Sequence, residues 1–149
     1  EKETDLSVAG AIETGNLLHR VMEKIVTAEC TDRVLDRLFE NGEIDSIRRT
    51  DWKEKIHRLI SQPEMAPWFS KDAIVRTEAG IYDAQGNYYK PDRVSITSEG
   101  TAVIDYKTGK PYPEHIHQIK QYALLLESMG YSNIQPYILY LDQGLLKAV

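Results

Sequence analysis

The spacing of apolar residues in the first third of the chain is typical of helices. Between residues 7 and 29, Ala11, Leu18, Met22 and Ile25 recur near the 3.6-residue period that defines one face of a helix. Polar residues occupy most of the positions between them. This stretch therefore predicts an amphipathic helix.

Two further helices are expected before residue 63. Thr31-Asp32 can cap a helix that continues through Phe39 and stops near Asn41-Gly42. Thr50-Asp51 can cap a third helix. That helix should end before Pro63, because a proline disfavours helical backbone in the residue that precedes it.

From Ala73 onward the pattern changes to one rich in β-branched and aromatic residues. The turn compositions AQGN and TSEG separate three such runs, which read AIVRTEAGIYD, YYKPDRVSI and TAVIDYK. A helix follows, with Pro113 in its first turn and Gly130 near its C-cap, and NIQPYILYL then predicts a fourth strand. The long helix lets strands three and four lie parallel. The pattern predicts an α/β fold in which helices precede a βββαβ core.

The end of the third strand carries charged residues on one face. Because side chains alternate across a strand, Asp105 and Lys107 project together. With a two-residue loop at Ser98-Glu99, Asp92 falls opposite Asp105. With the loop one residue later, Asp92 falls opposite Lys107 instead. Either register brings Asp92 into the group.

The first hairpin adds another acid to this face. If AQG forms a three-residue loop, Glu78 falls opposite Asp92. A solvated face with ordinary ion pairs is one explanation, although such pairs stabilise little. Val94, Ile96 and Val103 alternate onto the same face, so it is partly covered, and buried charges need a partner.

Opposed carboxylates on neighbouring strands repel each other. A divalent cation between Asp92 and Asp105 would remove that repulsion, and a site of two carboxylates and waters suits Mg²⁺. We therefore favour a functional explanation of this sheet face over a structural one.

Length and charge narrow the class of protein. The 149 residues suit one domain with a sizeable core, and no apolar run approaches the roughly 20 residues that span a bilayer. The formal net charge of −5 argues against a protein that binds nucleic acid through charge alone. It does not exclude a metal-dependent nuclease, because the active site of such an enzyme is itself acidic. Because the chain begins at Glu1, we interpret it as a piece of a longer or processed protein.

Cysteine content bears on cofactors and compartment. The single cysteine, Cys30, excludes an internal disulfide and any zinc or iron–sulfur site built on several cysteines. The first ten residues lack the basic start and apolar stretch of a signal peptide. These features favour a reducing, cytoplasmic location.

Five short motifs together resemble the PD-(D/E)XK nuclease superfamily, and most closely its RecB-like nuclease domains. Pro91-Asp92 and the DYK of residues 105–107 resemble the signature itself. Three further segments resemble motifs of RecB-like domains. The G-x-x-x-H motif is matched by GNLLH, the D-x-K-T-G motif by DYKTG and the Q-x-x-x-Y motif by QIKQYA. The motifs occur in the family's order. The resemblance implies a restriction-endonuclease-like fold and one nuclease domain over residues 1–149, with a helical part (1–70) and a sheet-and-helix core (71–149).

The resemblance also implies a role for each matching residue. The metal ligands would be Asp92, Asp105, His19 and the backbone carbonyl of Tyr106, and Lys107 would be the catalytic lysine. Glu78 would be the acid of the first strand, and Gln118 and Tyr122 would line the substrate path. The metal would be Mg²⁺, with Mn²⁺ as a substitute.

Histidine assignments depend on context. A lone His19 would by default be a core residue, but Gly15 four positions earlier shares its helix face and allows a close approach to the sheet. His115 and His117 are two apart on a helix, so they face apart and cannot chelate one ion. They and His57 are assigned no role.

The resemblance finally implies a setting. It is closest to the C-terminal nuclease domain of AddA-like and RecB-like helicase–nucleases, which process DNA ends in double-strand break repair and recombination. We would then expect exonuclease more than endonuclease activity, single-stranded DNA delivered by an attached ATP-dependent helicase, and a partner subunit. Relatives with a four-cysteine iron–sulfur cluster are disfavoured by the single cysteine. The alternative is a catalytically inactive module that keeps the fold for binding DNA or protein.

Overall fold

The computed structural model describes the backbone of residues 2–77 and 80–149, and side chains for residues 8, 10–77 and 80–149. Four helices are α1 (Lys2–Lys24), α2 (Thr31–Glu40), α3 (Ser46–Ile60) and α4 (Pro113–Ser128). Seven strands are β1 (Ile74–Thr77), β2 (Ile81–Tyr82), β3 (Tyr88–Tyr89), β4 (Arg93–Thr97), β5 (Gly100–Lys107), β6 (Ile134–Tyr140) and β7 (Leu145–Ala148). Short 3₁₀ turns span Ala28–Cys30 and Ala66–Phe69.

Five strands form a mixed sheet in the order β1-β4-β5-β6-β7. The pair β5 and β6 is parallel and is joined through α4, whereas the other neighbours are antiparallel. The strands β1, β4, β5 and β6, with α4 between the last two, are the predicted βββαβ core. The α/β class and the parallel pairing of the strands around the long helix are therefore confirmed.

Two of the predicted strands are each divided in two. AIVRTEAGIYD supplies β1 and β2, and YYKPDRVSI supplies β3 and β4. The short strands β2 and β3 form a separate two-stranded sheet. Pro91 contributes to the break before β4, because it has no backbone N–H to donate to a strand ladder. The last strand, β7, was not predicted.

Helix α3 begins earlier than its sequence suggests. The carboxylate of Asp45 accepts the backbone N–H of Arg48 at 2.7 Å and is the N-cap. Thr50-Asp51, the predicted cap, lies inside the helix, where the Thr50 hydroxyl donates to the carbonyl of Ser46. The predicted cap was wrong because two adjacent sites have capping composition and only the first has the extended backbone that a cap needs.

The other helix ends differ in smaller ways. Helix α1 starts before residue 7 and ends at Lys24, five residues before the predicted stretch does. The first helical residue of α2 is Thr31, and its N-cap is Cys30, which makes no side-chain capping bond. None of the helices in the described part of the chain is long and apolar enough to span a bilayer.

Helices cover both faces of the large sheet. On one face, Ala102, Ile104 and Tyr106 of β5 pack in a cluster with buried side chains of α1, α2 and α3. On the other face, Val94 of β4 and Val103 of β5 pack against α4. Asp92 and Asp105 project from the α4 face, at the end of the sheet where β4 begins and β5 ends.

Arg93 joins the sheet to the helical part. Its guanidinium is fully buried and donates to three backbone carbonyls, those of Ile25 (2.8 Å), Val26 (2.7 Å) and Trp68 (2.6 Å). It also donates to the Ser95 hydroxyl at 2.9 Å and lies over the Phe69 ring at 3.8 Å. Burying a charge is costly without such partners, so these bonds offset the desolvation of the guanidinium.

Replacing this residue tests how much the connection stabilises the fold. Arg93→Met keeps an apolar stem but leaves the carbonyls of Ile25 and Val26 without their donor, while the carbonyl of Trp68 keeps only the Ser95 hydroxyl at 3.2 Å. At roughly 1 kcal/mol or more for each unsatisfied group, the free energy of unfolding should fall by about 2 kcal/mol or more. Urea denaturation measures the change. The control Arg58→Ala, at a highly exposed side chain paired with Glu54, should change it by less than about 0.5 kcal/mol. Equal effects of the two variants would contradict the structural role.

Candidate metal and nuclease site

Two carboxylates meet where β4 begins and β5 ends. The register of the hairpin pairs Thr97 with Gly100 and Arg93 with Ile104, as predicted for a loop at Ser98-Glu99. Continued by one position, the same register sets Asp92 opposite Asp105. The side chain of Asp105 is only 4% exposed and that of Asp92 only 13%. The chain thus buries two acids side by side.

The electrostatics of the two acids are unequal. Burial and the neighbouring charge of Asp92 raise the pKa of Asp105 to about 7, although Lys107 opposes the shift. Burial also raises the pKa of Asp92, but hydrogen bonds with His19 and Asp105, the charge of His19 and the Tyr106 amide together hold that pKa below its usual value. Without a metal, the pair therefore holds a proton close to neutral pH.

Asp92 is fixed by bonds from both sides. One of its oxygens, Oδ2, accepts the backbone N–H of Tyr106 at 2.7 Å. The same oxygen lies 3.1 Å from Nε2 of His19, which reaches it from α1. The hydrogen bond with Asp92 raises the pKa of His19 despite its partial burial. The imidazole also lies edge-on to the Tyr106 ring, with centroids 5.9 Å apart.

Gly15 determines how closely α1 approaches the end of β5. A Cβ atom built on Gly15 would lie 2.8 Å from the Oγ1 of Thr108, which follows the last residue of β5. The predicted close approach is therefore present, although the neighbour is a side chain and not the backbone. One turn further along α1, this approach brings His19 to Asp92.

Lys107 lies on the α4 side of the site. Its ammonium is 3.1 Å from Oδ2 of Asp105 and donates to Oε1 of Gln118 at 2.9 Å. Tyr122, one turn after Gln118, is buried and packs edge-on to Tyr89 at 6.1 Å. Burial, with the negative charges of Asp105 and Asp92, raises the pKa of Tyr122 to about 12.

The structure thus brings together most of the residues singled out from sequence. His19, Asp92, Asp105, the Tyr106 backbone, Lys107 and Gln118 form one connected group, with Tyr122 buried beside it. Glu78 lies outside the described residues. The phenol of Tyr106 is buried on the opposite face of the sheet, where its hydroxyl makes no hydrogen bond. Only its backbone faces the acids.

Glu23 belongs to the site and was missed from sequence. Its Oε1 lies 3.2 Å from Nδ1 of His19, and the ligand atoms of His19, Glu23 and Asp92 all lie within 4.8 Å of one another. The signal was the four-residue spacing of Gly15, His19 and Glu23 on one helix face.

Two of the remaining histidines have other partners. His57 pairs with Asp32 on the surface of the helical part at 2.8 Å. Nδ1 of His115 lies 3.3 Å from the Tyr140 hydroxyl. A separate cavity of about 480 Å³ opens beside Met22, Trp52 and Leu141, and it includes none of the acids of the site.

The match to known families agrees with this geometry. The family model for the PD-(D/E)XK nuclease superfamily matches residues 2–147. The chain belongs to this superfamily, which implies a metal-dependent nuclease and a DNA substrate. A search of curated proteins found no significant match.

The paired acids predict an unusual dependence of stability on pH. In the metal-free protein, the folded state keeps a proton on Asp105 up to about pH 7, whereas the unfolded chain loses it near pH 4. Folded protein therefore binds more protons in this window, and the free energy of unfolding should fall as pH rises from 5 to 7.5. The raised pKa of His19 acts in the same direction.

Denaturation of metal-free protein across this range measures the effect. Asp105→Asn should remove most of the slope and stabilise the metal-free protein at pH 8. Saturating Mg²⁺ should raise the melting temperature of the wild type more at pH 8 than at pH 5, because binding requires both carboxylates to be ionised. A flat profile without metal would rule out a shared proton.

Proposed function

We propose that this domain is a Mg²⁺-dependent deoxyribonuclease. The observation that carries the proposal is the buried pair of opposed carboxylates, Asp92 and Asp105, between a histidine and a lysine. The pair suits a divalent cation because two ionised carboxylates this close repel each other. Oxygen and imidazole donors are ligands that Mg²⁺ and Mn²⁺ accept.

The residues that would hold the ion are Asp92, Asp105, His19 and the backbone carbonyl of Tyr106. When bound, such an ion supplies a Lewis acid and lowers the pKa of water, which is the chemistry that phosphodiester hydrolysis needs. The amide of Tyr106 keeps Asp92 in place through the 2.7 Å bond.

The chain's own cation in the site is Lys107. Gln118 and Asp105 hold its ammonium from two sides, so its position is defined before substrate arrives. A phosphate oxygen entering beside Asp105 would accept a hydrogen bond from this ammonium, which then stabilises the negative charge that grows on the phosphate. The side chain of Gln118 is exposed and can contact the DNA strand. The buried side chain of Tyr122 would support Gln118 from the interior of the protein.

The biological setting is the finer part of the proposal. The G-x-x-x-H, D-x-K-T-G and Q-x-x-x-Y motifs support a RecB-like nuclease domain attached to an ATP-dependent helicase, with a partner subunit, acting as an exonuclease on DNA ends in double-strand break repair and recombination. A cytoplasmic location accords with that role. The net charge of −5 supports a domain that receives single-stranded DNA from a more basic neighbour.

Substitutions at the end of β5 should separate binding of metal from catalysis. Asp105→Ala removes a ligand, so both Mn²⁺ binding and DNA cleavage should be lost. Lys107→Ala removes a charge that acts on the phosphate, so Mn²⁺ should still bind while the cleavage rate falls roughly 10²–10³-fold. Calorimetry and cleavage of labelled single-stranded DNA measure the two quantities.

Lys110 provides the matched control, because it lies three residues further along and is exposed. Lys110→Ala should leave both metal affinity and the cleavage rate close to those of the wild type. Near-normal cleavage by Lys107→Ala would show that Lys107 has no catalytic role. Tight DNA binding by the wild type without any metal-dependent cleavage would instead favour the inactive binding module.

Substrate topology tests the expectation of an exonuclease. The wild-type domain with Mg²⁺ should degrade linear single-stranded DNA and leave circular single-stranded DNA intact. Binding to either should be weaker than micromolar at physiological salt, because the net charge of −5 offers few phosphate contacts. Equal rates on circles and linear strands would show an endonuclease, and sub-micromolar binding would contradict the need for a basic neighbour.

A further inference from the structure

We propose that Glu23 is a positioning residue for the metal ligand His19, and that it fixes which ring nitrogen faces the ion. This inference rests on the proposed function of the site. It assigns a role to a residue that is not part of the PD-(D/E)XK signature, and it follows from the contacts of one imidazole ring.

The two ring nitrogens of His19 have separate partners. Nε2 lies 3.1 Å from Oδ2 of Asp92, and Nδ1 lies 3.2 Å from Oε1 of Glu23. The two nitrogens point away from each other, so one ion cannot use both. An ion shared with Asp92 would therefore take Nε2, and Nδ1 would keep its proton and donate it to Glu23.

A carboxylate on the far nitrogen has two effects on a ligating histidine. It fixes the tautomer and the orientation of the ring, and it increases the electron density of the nitrogen that faces the metal. The positions in α1 make this contact favourable, because Glu23 follows His19 by four residues on the same helix face. Both side chains are mostly covered, with 30% of His19 and 22% of Glu23 exposed, so solvent competes little for the bond.

Direct binding of the ion by Glu23 is the competing explanation. Its carboxylate is within 4.8 Å of the ligand atoms of His19 and Asp92, which a shared ion could bridge. A simple loss of metal affinity in a Glu23 variant would not distinguish the two roles. A double-mutant cycle does, because a residue that acts only through His19 has no effect once His19 is gone.

The experiment measures Mn²⁺ affinity by electron paramagnetic resonance for wild type, Glu23→Ala, Glu23→Gln, His19→Ala and the double variant His19→Ala/Glu23→Ala. Loss of a carboxylate behind a metal-bound histidine typically costs about 10–100-fold in affinity, which is the loss expected for Glu23→Ala. The affinity of Glu23→Gln should lie between those of wild type and Glu23→Ala. The amide oxygen of glutamine still accepts the Nδ1 proton but has no negative charge. The double variant should bind like His19→Ala alone. Glu13→Ala, at an exposed glutamate of the same helix, is the control and should bind like wild type.

A spectroscopic measurement reports the ring directly. In ¹H–¹⁵N spectra of the Mg²⁺-loaded protein, the His19 ring should be protonated at Nδ1 in wild type, and Glu23→Ala should lose this single tautomer. A merely structural role for Glu23 would change neither the tautomer nor the metal affinity. Wild-type affinity in Glu23→Ala, or a further loss of affinity when Glu23→Ala is added to His19→Ala, would overturn the inference. Failure of the wild type itself to bind Mn²⁺ would overturn the proposed function as well.

Discussion

The fold depends on one buried cation, the guanidinium of Arg93. It binds the carbonyls that follow α1 and the carbonyl of Trp68, so it joins the first strand of the central hairpin to the helical part of the chain. Asp92 immediately precedes it and projects toward the other face. Because the two residues are adjacent, the hydrogen bonds that fix Arg93 also fix the position of Asp92 relative to His19. Stability on one face of the sheet and geometry at the site are therefore linked.

The site itself works against this stability. Opposed, buried carboxylates are unfavourable, and the pKa of about 7 for Asp105 expresses that cost. Lys107 offsets part of it from the α4 side, and the Tyr106 amide and His19 stabilise the charge of Asp92. Such arrangements persist where the surrounding structure over-determines them, which is typical of functional sites. The arrangement is suited to binding a cation and has no evident structural benefit.

Sequence reasoning predicted the contacts whose geometry is local. Two hairpin registers were open from the sequence, both of which bring Asp92 to the end of β5, and the structure has the one that sets Asp92 opposite Asp105. The predicted start of α3 was wrong because two neighbouring segments have capping composition and only Asp45 has the extended backbone that a cap needs. The carbonyl partners of Arg93 lie 25 to 68 residues away, so no local pattern contains them. The helical spacing of Glu23 is visible in the sequence. Its role at the site becomes evident only once His19 is known to contact Asp92, 73 residues later.

The distribution of these residues over the elements constrains how the site is assembled. The hairpin of β4 and β5 contributes both carboxylates, α1 contributes His19 and Glu23, and α4 contributes Gln118. Helix α1 packs on one face of the sheet and α4 on the other, so neither layer alone can complete the group. The helical part is therefore not an accessory to a self-sufficient sheet. The group forms only when both faces of the sheet are covered, and the N-terminal helix supplies two of its side chains, as the strands supply its acids.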